Sequence, residues 1–372
     1  MIESIYKYVN NLLEKGFYVD KNTKLEYFSG YQYNTLYDWD FYFESAVLLH
    51  FNKGQKNIIN GIKIFLANQE ENGFIPRLSI PIGDKSSGED ACEHCKPFLS
   101  QTLLLLVKNG DKLNWFTDEE YEKLKKYILY WIKFEDKDNN ALSFWRSAPH
   151  SGMDNQHERC GWWSDCYCEG ADLNSYLYKE IQAFVHIADM LGKKNDVKEY
   201  IEYGECIKKS VNKYLWQDKI GFYLDRNEKT GEIIPCMTCA GFMPLWAGIA
   251  NEEQAKRVIE EHILNPDEFW RNFPVSVMSA KEEGYSEKFL HNDLGCCWRA
   301  NTWIPVNFIV YQILKKYGYQ EKAKELAEKT FEICSREGAR EYYTSETCRG
   351  QGLNPFWGWT MLGFFMNEMQ II

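Results

Sequence analysis

Stretches with helical spacing are joined by connections of two alternating lengths, and this alternation restricts the fold more than any other feature of the chain. Apolar residues recur at three- and four-residue intervals near 1–15, 37–52, 55–70, 97–109, 117–135, 171–191, 194–215, 240–248, 251–262, 302–317, 320–335 and 357–368. No period-two alternation competes with them. The plainest case is 171–191, where Leu173, Leu177, Ile181, Phe184, Ile187, Ala188 and Leu191 form one apolar stripe and Lys179 with Glu180 lies off it. Thr117 with Glu120 predicts a capping box, and Gly192 and Gly318 predict helix ends.

After the odd-numbered stretches the connections are long, at 16–36, 71–96, 136–170, 216–239, 263–301 and 336–356. After the even-numbered ones they are short. In a ring of up-and-down helices successive connections alternate between the two ends, so the six long ones are expected to share one face. This predicts an all-α fold of six helical hairpins, an (α/α)6 toroid. No linker or shift in composition interrupts it, so a single domain over 1–372 is expected, with function on the long-loop face.

Composition narrows the partners. A formal charge of −11 excludes nucleic acid and an anionic membrane surface, both of which require a basic face. No apolar run approaches the about eighteen residues of a membrane span. Met1 to Gly16 lacks the basic start and apolar core of a signal peptide, so a cytoplasmic location is expected. The 12 cysteines include the close pairs Cys92/Cys95, Cys166/Cys168, Cys236/Cys239 and Cys296/Cys297. These pairs are far apart in sequence with no histidine cluster beside them, so reduced thiols are expected, with no metal and no cofactor. No oligomeric state follows from the sequence. Aromatic residues make up 16% of the chain, and many fall in loop-like stretches where a sugar ring can stack, which favours a small carbohydrate as partner.

Two loop carboxylates stand out. Asp154 lies in Ser151-Gly152-Met153-Asp154-Asn155, amid Trp145, Trp162 and Trp163. Apolar surroundings raise a carboxyl pKa, which suits a general acid, whereas an isolated Gly-x-Asp ordinarily only caps a turn. Glu341 opens Glu341-Tyr342-Tyr343 in the eleventh connection, three hairpins away in a six-hairpin ring and therefore across the mouth from Asp154. An inverting glycosidase holds its acid and base about 6.5–9.5 Å apart with a water between them. Glu346 is the rival base, and either glutamate could simply pair with Arg340 or Arg349.

Candidate binding residues surround these two. Trp39 and Asp40, at the entry to the second helix, offer a stacking plane and a hydroxyl acceptor, although Asp38 and Asp40 also suit a helix N-terminus. Phe74, Arg77, Lys96 and Gln101 add polar reach from the third connection. Trp145, Met153, Asn155 and Arg159 flank Asp154; Trp298, Arg299 and Trp303 close the ninth connection; Tyr342, Tyr343 and Trp357 follow Glu341.

Several short motifs recur in order: Trp39-Asp40, Gly73-Phe74-Ile75-Pro76, Lys96-Pro97, Ser151 to Asn155, Ala171-Asp172-Leu173-Asn174 with Tyr178-Lys179-Glu180, Trp298-Arg299 with Trp303, and Glu341-Tyr342-Tyr343. Their order and spacing resemble glycoside hydrolase family 63 and the related trehalases along most of the chain. The short length is most similar to bacterial mannosylglycerate and glucosylglycerate hydrolases. The resemblance implies an inverting hydrolase of a small α-glucoside or α-mannoside, of disaccharide or glycosylglycerate type, with Asp154 as general acid and Glu341 as general base. It also implies that Tyr342 and Tyr343 line the site. The chain departs from the family pattern at Gln156-His157-Glu158-Arg159 and Glu346-Thr347-Cys348-Arg349. Arg349, His157 and Arg159 are therefore candidates to grip a carboxylated aglycone such as glycerate, or to shape a disaccharide subsite. The alternatives are a sugar epimerase or isomerase on the same toroid, which would normally use histidines, and a sugar-binding protein without catalysis.

Overall fold

Residues 2–32, 34–81, 93–161, 167–289 and 296–369 are described by the structure, a computed structural model. Among them all twelve helical stretches expected from periodicity are present. They are α1 (Ile2–Leu13), α2 (Asp38–His50), α3 (Gln55–Ala67), α4 (Leu99–Lys108), α5 (Asp118–Phe134), α6 (Ala171–Met190), α7 (Lys198–Ser210), α8 (Met243–Ala247), α9 (Glu252–Arg257), α10 (Ile304–Lys316), α11 (Gln320–Glu337) and α12 (Leu362–Phe365). α7 and α9 run on as wider π turns, Val211–Leu215 and Val258–Ile263. The capping box at Thr117 and Glu120 forms reciprocally. Gly192 and Gly318 adopt the left-handed conformation that ends α6 and α10. No described helix is long and apolar enough to cross a membrane.

The chain forms two compact units. The first comprises 1–134, 176–204 and 356–361. Here α2 is buried from Asp38 through Leu49, charged residues included, and packs on α3 and α4. Glu180 on α6 corrects the amphipathic reading: it is buried, not off the stripe. Its carboxylate accepts from the buried amides at the start of α4, Ser100 N at 2.5 Å and Gln101 N at 3.1 Å. A helix begins with amides that lack intrahelical acceptors, and a buried carboxylate supplies one.

The second unit comprises 135–175, 205–355 and 362–372. Its α10 and α11 form a hairpin, with α12 packed against both. A small antiparallel sheet joins the connections, with Tyr342–Thr344 between Asn301–Thr302 and Gly350–Gln351. Tyr343 pairs with Thr302 and Thr344 with Asn301, just ahead of the first turn of α10. This ties the loop that carries Glu341 to a helix N-terminus. Such strands, two or three residues long, are too brief to leave a period in the sequence.

Candidate active site

Asp154 sits at the end of a tightly specified turn in the second unit. The Ser147 hydroxyl accepts from His150 N and caps the single helical turn Ala148–Ser151. Gly152, with φ of +83°, then reverses the chain, and Met153 N donates to the Ser151 hydroxyl at 3.1 Å. Residues 154–156 are fastened to 296–298 by four hydrogen bonds, one of them from Asn155 Nδ2 to Cys297 Sγ at 3.7 Å. Cys296 N donates to Asp154 Oδ2 at 3.1 Å, Trp298 N to Asn155 Oδ1 at 2.7 Å, and Gln156 Nε2 to Trp298 O at 2.7 Å. Asp154 is half-buried.

Glu341 reaches the same segment from the other loop. Its Oε1 accepts from the Cys296 thiol at 3.0 Å, and its Oε2 accepts from Leu353 N at 2.9 Å. Both carboxylates therefore bond to one residue, Cys296. Beside them Trp298 and Trp303 stack with centroids 3.7 Å apart and planes within 6°, and Tyr342 stacks on Trp303 at 4.8 Å. Trp303 Nε1 donates to Cys297 O at 3.1 Å, which locks the stack to the 296–298 segment.

Gly352 has a φ of +67°, and a Cβ there would collide with Glu341 Oε2. Gly352→Ala is therefore expected to cost about 1–2 kcal/mol of stability through left-handed strain alone. It also displaces the carboxylate, so kcat should fall with little change in KM. Thermal unfolding and steady-state kinetics on the variant check both.

Arg159 anchors the turn that follows Asp154. Its Nε pairs with Asp225 and its Nη2 with Asp172, and none of the residue is exposed. Burial opposes the charge, but Asp172 and Asp225 hold the guanidinium pKa well above its ordinary value. Asp172 Oδ1 also accepts from Trp145 Nε1 at 2.9 Å, and Asp225 Oδ1 from Ala171 N, the first amide of α6, at 2.7 Å. One cation thus joins the Asp154 loop, the start of α6 and the 216–239 connection.

The first unit holds a separate charged cluster. Lys96 Nζ lies 3.3 Å from Asp38 Oδ1 and 5.7 Å from the centre of the Trp39 ring, and Arg77 pairs with Glu93 at 2.7 Å. Burial favours a neutral Asp38, yet Lys96 and Arg77 keep its carboxyl below the usual range. Burial and the Asp38 charge push Asp40 up to about 8, and burial with Asp40 also raises Glu44. An acid whose pKa is raised by folding contributes stability that is complete below its unfolded pKa and lost as pH rises through the folded one. For Asp40 that window runs from about 4 to about 8. Asp40→Asn is expected to raise Tm at pH 8.5 and to change it little at pH 4, as followed by calorimetry.

The mannosylglycerate hydrolase MGH1-like glycoside hydrolase domain matches residues 33–360. The chain belongs to this family. Mannosylglycerate hydrolase MGH2 of Selaginella moellendorffii is 31% identical over 146 residues, 39% of this chain and 28% of that protein. Mannosylglycerate hydrolase of Thermus thermophilus is 30% identical over 161 residues, 43% of this chain and 36% of that protein. Matches to these curated relatives thus span about a third of their length. Among solved structures, a family 63 mannosylglycerate hydrolase from Thermus thermophilus, crystallised with glucose, aligns with a TM-score of 0.75 at 19% identity, covering 98% of this chain and 100% of that one. Neutral trehalase from Saccharomyces cerevisiae aligns at 0.72 and 17%, covering 97% and 78%. The fold is therefore the (α/α)6 toroid of these enzymes.

Within this MGH1-like domain several expected binding residues turn out to be support. Trp145, Met153, Asn155, Arg159, Lys96 and Tyr343 have no exposed surface, and each is engaged with other groups of the protein. Tyr343 donates to Gly338 O, and Met153 accepts from Arg159. Arg159 cannot serve as a reader of a carboxylated aglycone, because Asp172 and Asp225 already take its charge. Arg349 is corrected likewise, being turned to Glu337 on the surface. Glu346, the rival base, bonds Arg271 at 2.6 Å and the Tyr285 hydroxyl at 2.7 Å. Against the effect of burial, these partners hold its pKa below the ordinary range, which disfavours proton uptake.

The other candidates divide between the units. In the first, Trp39 meets Trp359 edge-on, Phe74 lies against His94, and Gln101 donates to Pro97 O and Tyr176 O. Trp357 donates through Nε1 to Ser29 O. In the second, Arg299 pairs with Glu158 and donates to Gly284 O. Trp162 and Trp163, with Cys92 and Cys166, lie outside the described residues. The described cysteines are all free thiols. From sequence, Cys296, Asp172 and Asp225 had no site role; Cys296 stood out only as a member of the close pair with Cys297, Asp172 only as part of the Ala171-Asp172-Leu173-Asn174 motif, and Asp225 left no signal.

Proposed function

We propose that this protein hydrolyses a small α-glycoside with inversion, Asp154 acting as general acid and Glu341 as general base. The substrate class is an α-mannoside or α-glucoside carried by glycerate or by a second sugar, and the reaction takes place in the cytoplasm. Asp154 gives its proton to the glycosidic oxygen as the bond from the anomeric carbon breaks. Water attacks that carbon from the opposite side and loses a proton to Glu341. Asp154 ends as the carboxylate and Glu341 as the acid, and exchange with solvent resets both.

The observation that carries this reading is the convergence of the two carboxylates on Cys296, with Asp154 half-buried and the rival Glu346 taken up by Arg271 and Tyr285. Family membership supports the reaction class. The names of the relatives, mannosylglycerate hydrolases and trehalases, set the substrates to try.

The test is a panel of mannosylglycerate, glucosylglycerate, trehalose and other α-linked disaccharides, scored by sugar release, with the first anomer formed followed by NMR. Hydrolysis of at least one substrate with the β-anomer appearing first is expected. An α-anomer first would exclude inversion, and no release from any member would sink the assignment.

A further inference from the structure

Cys296 occupies a position that general acid–base chemistry alone does not explain. Its main chain and its side chain each hold one of the two carboxylates, N–H to Asp154 Oδ2 at 3.1 Å and S–H to Glu341 Oε1 at 3.0 Å. Its neighbours are fixed in turn. Cys297 O accepts from Trp303 Nε1, Trp298 N donates to Asn155, and Trp298 stacks on Trp303. A residue so held has little freedom to let either carboxylate drift.

The choice of a thiol suits a base. A carboxylate that accepts strong hydrogen bonds at both oxygens is a poor proton acceptor, because each bond favours the charged form. The amide of Leu353 already binds Oε2 at 2.9 Å. An S–H group is a weak donor, and at Oε1 it orients the carboxylate from the side opposite Leu353 N.

We propose that Cys296 is a positioning residue of the hydrolysis, its thiol aligning Glu341 and its amide aligning Asp154, so that one residue sets the spacing of base and acid. This inference rests on the assignment of those two residues. Other titratable groups near Glu341 among the described residues are Cys297, Tyr342 and, through Cys296, Asp154. Substitution at 296 removes one of the charges that raise the Tyr342 phenol, but a phenol raised by burial stays protonated across the acidic limb.

The experiment compares Cys296→Ala, Cys296→Ser and Glu341→Gln on the best substrate of the panel, as kcat and KM across pH. Removing even a weak donor from the carboxylate takes away a bond to its charged form, so Cys296→Ala should move the acidic limb of kcat/KM upward by about 0.4 unit. It should also lower kcat about ten-fold with KM little changed. Cys296→Ser keeps a donor and should return the limb to the wild-type position or slightly below it. An unshifted limb in Cys296→Ala, with activity abolished in Glu341→Gln, would overturn the role of Cys296 and leave the base assignment standing. Substantial activity in Glu341→Gln would instead remove the base assignment itself. If the alanine variant does not fold, a serine variant whose limb rises as far as about 0.4 unit also counts against the proposal.

Discussion

Asp154→Asn is expected to lower kcat about 10²–10⁴-fold, the contribution typical of a positioned proton donor. Asparagine keeps the size of the side chain, and its carbonyl oxygen can still accept from Cys296 N, so the turn at Gly152 and the bonds from Asn155 and Gln156 remain. What it loses is the proton. The fold should be intact by circular dichroism, with Tm within a degree or two of the parent. The defect should shrink on an aryl α-glycoside, whose leaving group needs no protonation. Activity within about ten-fold of wild type on the natural-type substrates would rule Asp154 out as the acid.

Arg159→Met is expected to destabilise the protein by about 3–5 kcal/mol, the cost of leaving buried charges without their partner. Asp172 and Asp225 are both buried and both paired to this one guanidinium. Methionine fills much of the volume, so the loss is electrostatic and not a cavity effect. In the variant the two carboxylates lie close together with no cation, and Asp225, whose carboxyl burial already raises against the pull of Arg159, loses that pull. The destabilisation should therefore be greatest at neutral and alkaline pH and shrink as the pH falls and protonation removes the repulsion. Urea unfolding at pH 5 and pH 8 reads both quantities. A loss below about 1 kcal/mol at pH 8 would mean that the pair contributes little to the fold. Because Arg159 braces the turn after Asp154, kcat should fall as well, whereas a carboxylate-reading role would have changed KM for glycosylglycerates alone.

The residues show where sequence reasoning carries and where it stops. Helical periodicity is a local property, repeated every three or four positions, so all twelve stretches and the cap at Thr117 were legible from spacing. Glu180 was misplaced because the amides it receives belong to α4, some eighty residues earlier. The small strands at Asn301–Thr302 and Tyr342–Thr344 were missed because pairs this short take their stability from a partner and not from their own pattern.

By itself, then, the sequence determined the helices, the alternation of long and short connections, and the two loops that carry Asp154 and Glu341, since each depends on residue types at fixed spacing along one segment. Only the tertiary structure decided how those carboxylates are held. The bond from the Cys296 thiol to Glu341 and that from its amide to Asp154 span 45 and 142 residues. The same holds for Arg159, which looked like a group free to grip a ligand and is in fact consumed by Asp172 and Asp225. A charge shows its partner only when folding removes the water between them, and no spacing along the chain encodes that.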